Sequence, residues 1–411
     1  MGDRAMEGRV KFALFVVIVA GGCAKAPPPT FDIWSNKLGA PTQARSRTFE
    51  EYVRAANVAE KLFPEYVNRV HFTPGIQKQI VDGLAPTLER LAKQTAEPCE
   101  FAFQPLGPFE APPHQQGWRL VGRALAFRIQ TSLLEGRGEE AVRDLLLATR
   151  FGFDICSGSA TDASLGLTIV DDARRAFLPH LHQLGAEQLE RLSAGLKGEL
   201  DRRRSLSTAI HNEHLNMREA IQFVQDSFRK GEASLLSERL GLDVQDAVQY
   251  LDQLRGKSGE EQVAYFSGFG KEADLIREYE MGRADLNARQ RDSLKPLSLP
   301  EPRPWWRLSK HLFFTFDSLL EARDRTVART RLLAVEASVL ASVKNSGQAP
   351  RDLNSLAESL VIDPYTGQKL LYRASGATYR LYSVGANLAD DGGDTNEEHA
   401  EPDLTLEDFG P

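Results

Sequence analysis

A chain of 411 residues has room for two or three domains of roughly 150 residues, and 42% hydrophobic with 26% charged residues is the make-up of a folded globular chain, which excludes wholesale disorder and a polytopic membrane protein. The 50 basic and 57 acidic side chains sum to −7, but nine of the acids lie between Ala389 and Pro411, where there is no Lys or Arg. The other 388 residues hold 50 bases against 48 acids, so the body offers no electrostatic basis for binding nucleic acid.

At the N-terminus Arg4, Arg9 and Lys11 precede an apolar run of 11 residues, Phe12 to Gly22, and Cys23 follows at once. A bilayer-spanning helix needs about 20 apolar residues, so the run has the length of a signal-peptide core. Ala20-Gly21-Gly22 before Cys23 resembles the lipobox of bacterial lipoproteins. The resemblance implies cleavage at residue 22, lipid on the Cys23 thiol and a cell-envelope location, anchored in a membrane and facing the periplasm from the outer membrane. Plain secretion and a retained anchor are the alternatives. With Cys23 lipidated, Cys99 and Cys156 remain, either as a disulfide in a permissive compartment or as two separate buried thiols.

Residues 23–46, rich in Pro and small polar residues, read as a tether. Thr48 and Glu51 have capping-box spacing and predict a helix carried by Tyr52, Ala55, Ala59 and Leu62. Thr73-Pro74 starts a second, and Trp118–Glu135 with Glu139–Phe153 forms an antiparallel hairpin about Gly136-Arg137-Gly138. Helical periodicity continues through Ser164–Leu184, where Pro179 predicts a kink, then Ala186–Arg204, Ser207–Lys230, Asp243–Arg255 and Lys271–Glu280. A Pro-rich break at 295–304 precedes Trp305-Trp306, which suit either a sticky surface or packing at a domain interface, and a long helix to about Lys344. Short β runs, Lys369–Ala374 and Tyr379–Val384, then flank a Ser375-Gly376 turn.

The expected architecture is mainly α: packed antiparallel helical hairpins over 47–294, a linker at 295–304, a small C-terminal α+β domain over 305–388 and an acidic segment over 389–411. A helix from Arg331 to Lys344, the Asp363-Pro364-Tyr365-Thr366-Gly367 turn, Leu371-Tyr372-Arg373, Leu381-Tyr382-Ser383-Val384-Gly385 and an Asp/Gly-rich end occur in that order. Together they resemble the C-terminal domain of type II secretion major pseudopilins, over about the last 80 residues. The helical body is similar in layout to bacterial envelope proteins that end in this domain. The pseudopilin resemblance implies calcium in the loop after the hairpin, with Asp390, Asp391 and Asp394 as ligands around Gly392-Gly393. A solvated acidic tail is the other reading of the same residues.

One further cluster has metal-like composition. His211 and His214 share a helix face at i, i+3, and His180 or His182 would complete a zinc set; polar residues on an amphipathic helix are the alternative. Gly256-Lys257-Ser258 lacks the earlier glycine of a phosphate loop, and Gly268-Phe269-Gly270 lies in a helical region without a βαβ unit. The sequence therefore predicts a lipid-anchored envelope protein that binds a protein partner. A metal-dependent enzyme with a helical histidine site and an accessory component of a type II secretion or pilus-like system are the alternatives.

Overall fold

The computed structural model describes residues 46–105, 114–232, 243–299, 315–393 and 403–406, together with 234, 237, 238, 301 and 305. Cys23, Asp394 and Trp306 lie outside the described residues. The described chain is mainly helical, with neighbouring helices packed in pairs and one C-terminal β-hairpin. Among the described residues no helix is long and apolar enough to cross a membrane.

Helix α1 spans Arg47–Leu62. Its cap is Ser46, whose Oγ accepts from the Phe49 amide at 3.2 Å, and not Thr48 as the spacing predicts. Thr48 is already inside the helix and donates to the Glu97 carbonyl at 2.9 Å. Helix α2, Pro74–Gln94, starts with Pro in its first turn, where no amide bond is lost. Helices α3 (Gln115–Leu134) and α4 (Gly138–Ile155) form the predicted hairpin. Gly136 takes φ 73° at its turn, a conformation that is costly for residues with a Cβ. Helix α5, Ala160–Phe177, opens on a Ser159/Asp162 capping box and does not kink at Pro179 but ends before it, passing into a 3₁₀ turn over Leu178–Gln183.

Helices α6 (Ala186–Arg202), α7 (Ser207–Lys230), α8 (Val244–Arg255) and α9 (Gly259–Arg283) follow. Gly256-Lys257-Ser258 is the junction of α8 and α9, and Ser258 caps α9 with Glu261. Gly268 lies inside α9 because Trp305 rests on it: a Cβ there would come within 2.2 Å of the indole. Trp305 is buried among Tyr265, Phe266 and Phe269 and gives its indole N–H to Glu272. The tryptophan thus packs inside the molecule.

A short α10 (Ala288–Asp292) precedes the long α11, Asp317–Ser346. Then come α12 (Glu358–Val361), β1 (Leu371–Ser375) and β2 (Thr378–Tyr382), the strands antiparallel with Ser375 opposite Thr378. Leu332, Leu333, Val335 and Val339 of α11 belong to the same buried cluster as Tyr52, Trp118, Phe151 and Leu192. Helix α11 packs on α6 and α5. A division at 295–304 would cut through this cluster, so the break in composition does not coincide with a break in the core.

Candidate functional site

The C-terminal hairpin stands against α11 and the 178–183 turn and leaves a groove of about 840 Å³ between them. Leu178, Leu181, Leu340, Val343, Leu381 and Leu406 supply apolar wall, and Glu336, Tyr379, Arg380 and His182 supply polar groups. Tyr379 donates to Glu336, which ties β2 to α11 across the groove floor. Burial and the Glu336 carboxylate push the Tyr379 phenol well above its ordinary range. The groove is open, its lining is about equally polar and apolar, and its size has room for a ligand or a peptide segment.

The acidic turn borders the groove through Gly393. Asp390 Oδ1 accepts from the Gly392 amide and from the Tyr382 hydroxyl, both at 2.9 Å. Those bonds hold its carboxyl below the usual range, the Gly392 amide being the larger cause. Asp391 accepts from Asn387 at 2.9 Å, and Arg380 donates to the Gly392 carbonyl. Gly393 has φ 74° and lies against Arg380 and Tyr382, where a Cβ would come within 2.9 Å of both.

Asp403 is the member that sequence reasoning missed. An antiparallel bridge between Ser383 and Leu404 carries the chain back along β2, which puts the 3% exposed Asp403 at the turn. Its Oδ2 accepts from the Gly393 amide at 2.6 Å, while Oδ1 is buried without a hydrogen-bond partner. Burial raises the Asp403 carboxyl; the Gly393 and Asp391 amides oppose that, and the charges of Asp391 and Asp390 add to it. Among the described residues no three His, Cys, Asp or Glu side chains converge on one metal position. Asp390 and Asp391 are near enough for their charges to act on Asp403, but the three do not converge as a metal set, and Asp394 lies outside the described residues.

The histidines do not form the predicted set. His214 is fully buried, with Nε2 3.0 Å from Asp274 Oδ1. Burial, then the charges of Arg277 and Arg218, push it down to about 3, so it is neutral. His211 is lowered by burial and the same arginines. Two guanidiniums facing the pair are the wrong sign for a zinc site. His182 lines the C-terminal groove instead.

Cys99 and Cys156 are separate buried thiols, the second of the two arrangements open from the sequence. They sit in different core clusters, Cys99 with Phe49 and Trp118, and Cys156 with Phe153 and Leu167. Cys156 donates to the Gly152 carbonyl at 3.2 Å. Burial pushes the Cys156 thiol up to about 12 and raises the Cys99 thiol as well, so neither is poised as a nucleophile.

Comparison with protein-family models, with curated proteins and with solved structures finds no match to this chain.

Proposed function

We infer that the chain is a cell-envelope protein, held at a membrane by lipid on Cys23, and that its helical body is a binding module that presents the C-terminal groove to a protein partner. The observation that carries the binding reading is the groove itself, about 840 Å³ with an apolar wall and convergent polar groups. Buried ionisable groups outside it include structural pairs such as Arg128 with Asp144 and Arg150 with Glu199. The order of a long helix, a short helix, a hairpin and an acidic turn supports a second reading, an accessory component of a type II secretion or pilus-like system.

The groove reading is tested by placing a photo-crosslinking side chain at exposed Thr378, in the groove, and at exposed Glu187, away from it, in cells that make the protein. A discrete protein adduct from position 378 and none from position 187 is expected. Adducts from 187 alone would refute the groove as the binding face.

Calcium is the ion proposed for the acidic turn. The buried Asp403 carboxylate lies where the charges of Asp390 and Asp391 act on it, and Ca²⁺ accepts an irregular set of six to eight oxygens. A bound ion would neutralise the repulsion among these carboxylates. At one hundred times Kd it would stabilise the chain by about 2.7 kcal/mol. Melting of the intact protein should rise in calcium but not in magnesium or chelator, and Asp391→Ala should abolish the rise. Equal melting in the three buffers would refute the ion.

A further inference from the structure

The corner between α1 and α2 combines two features that rarely occur together on a water-facing surface. Val70 is 74% exposed and Leu62 49% exposed. Beside them stand three arginines. Arg123 of α3 lies with its guanidinium 5.0 Å from the centre of the Phe72 ring and donates to the Arg69 carbonyl at 2.5 Å. Arg69 lies 5.8 Å from the Tyr66 ring centre and donates through Nε to the His71 carbonyl at 2.7 Å. Arg119, one turn before Arg123 on α3, is exposed.

Two acids stand nearby, and the charge of Asp172 acts on Arg123, but neither closes an ion pair with the trio. Glu60 accepts from the Gly117 amide at 2.8 Å, and Asp172 is 3.8 Å from Arg175. Among the described residues none of Arg69, Arg119 and Arg123 forms an ion pair. Burial, and then the like charge of Arg119, push Arg123 below its ordinary value. The rings of Tyr66 and Phe72 and the carbonyls of His71 and Arg69 hold the guanidiniums of Arg69 and Arg123 in place beside the aliphatic Val70.

We propose that this corner is a docking face for an anionic phospholipid bilayer, with Arg69, Arg119 and Arg123 on headgroup phosphates and Val70 entering the interface. A negative headgroup layer over an apolar interior complements both features, since basic side chains are attracted to the charged surface and an aliphatic tip gains by partial immersion. A free anion would engage the arginines but would have no use for Val70. The inference rests on the lipid-anchored reading, which brings the body to a membrane. Helix α1 has 16 residues, so the corner lies about 24 Å from residue 46. The contour of residues 23–46, at most roughly 80 Å at full extension, spans that distance.

The test uses the full chain carrying Cys23→Ala, so that no lipid contributes. Its sedimentation is measured with vesicles of phosphatidylcholine plus phosphatidylglycerol and with phosphatidylcholine alone, and its binding to duplex DNA is measured in parallel. Partition onto the anionic vesicles is expected to exceed that onto neutral ones about tenfold and to fall with added salt. Arg69→Glu with Arg119→Glu should remove the preference, Val70→Ser should weaken it several-fold, and Arg69→Lys should retain it. Unchanged melting of these surface variants checks that they fold. Equal partition onto both vesicle types would overturn the proposal. So would a double charge reversal that still binds, competition by inorganic phosphate with no effect of Val70→Ser, or DNA binding tighter than vesicle binding. Fatty-acid labelling of the chain with Cys23 intact is a separate readout, so a failure here leaves the anchor reading standing.

Discussion

Asp154 accepts from the Tyr52 hydroxyl at 2.7 Å where α1 meets α4. Burial raises its carboxyl to about 6; Tyr52, Arg202 and Arg150 oppose the rise, and Glu199 adds to it. A carboxyl raised in the folded state binds its proton more tightly there than in the unfolded chain. Stability is therefore lost as pH rises from about 4 through about 6, by about 2–3 kcal/mol in all. His214 has the opposite sign: its folded value of about 3 lies below the unfolded one, so its contribution is present above about 6.5 and lost as pH falls. Asp154→Asn isolates the first term. In urea unfolding the variant should be more stable than the parent by about 1–3 kcal/mol at pH 8 and should show no gain at pH 4. An equal difference at both values would contradict the assignment. The sequence shows Tyr52 only as one apolar position on a helix, because a bond across 102 residues leaves no local pattern. Asp403 escaped notice for the same reason: only the Ser383–Leu404 bridge relates it to Asp390.

Individual helices are largely legible because they rest on local causes. Apolar spacing marks α1 to α7, and Gly136 and the Ser159/Asp162 box mark a turn and a start. The partner of a helix is not local, and α11 illustrates the difference. Its residues Leu332, Leu333, Ala334, Val335, Ala337, Val339, Leu340 and Ala341 are buried and face nearly every direction around the axis, the pattern of a helix enclosed by others. That pattern was available in the sequence and argues against a separate 305–388 unit. Leu332→Ala should cost about 2–5 kcal/mol in the whole chain, as for other core leucines. A fragment of residues 305–411 would leave these side chains without α5 and α6. It should show little cooperative melting by circular dichroism, and a sharp two-state transition would place a domain boundary where the composition changes.

Across the whole molecule, the shared cluster fixes the C-terminal hairpin to the body, and the groove exists because both sides are held by it. The α1–α2 corner belongs to the same cluster through Phe63 and Val67. A groove and a cationic corner on one body would suit work at a membrane surface, where, on the proposed reading, a lipid on Cys23 would hold the chain. The direct measurement is fractionation of cells with fatty-acid labelling, comparing the natural chain with Cys23→Ala. The natural chain should carry label and sediment with membranes, and the variant should lose its label and shift to the soluble fraction in high salt, which screens the arginine corner. A labelled variant, or an unlabelled natural chain that partitions identically to the variant, would contradict the account.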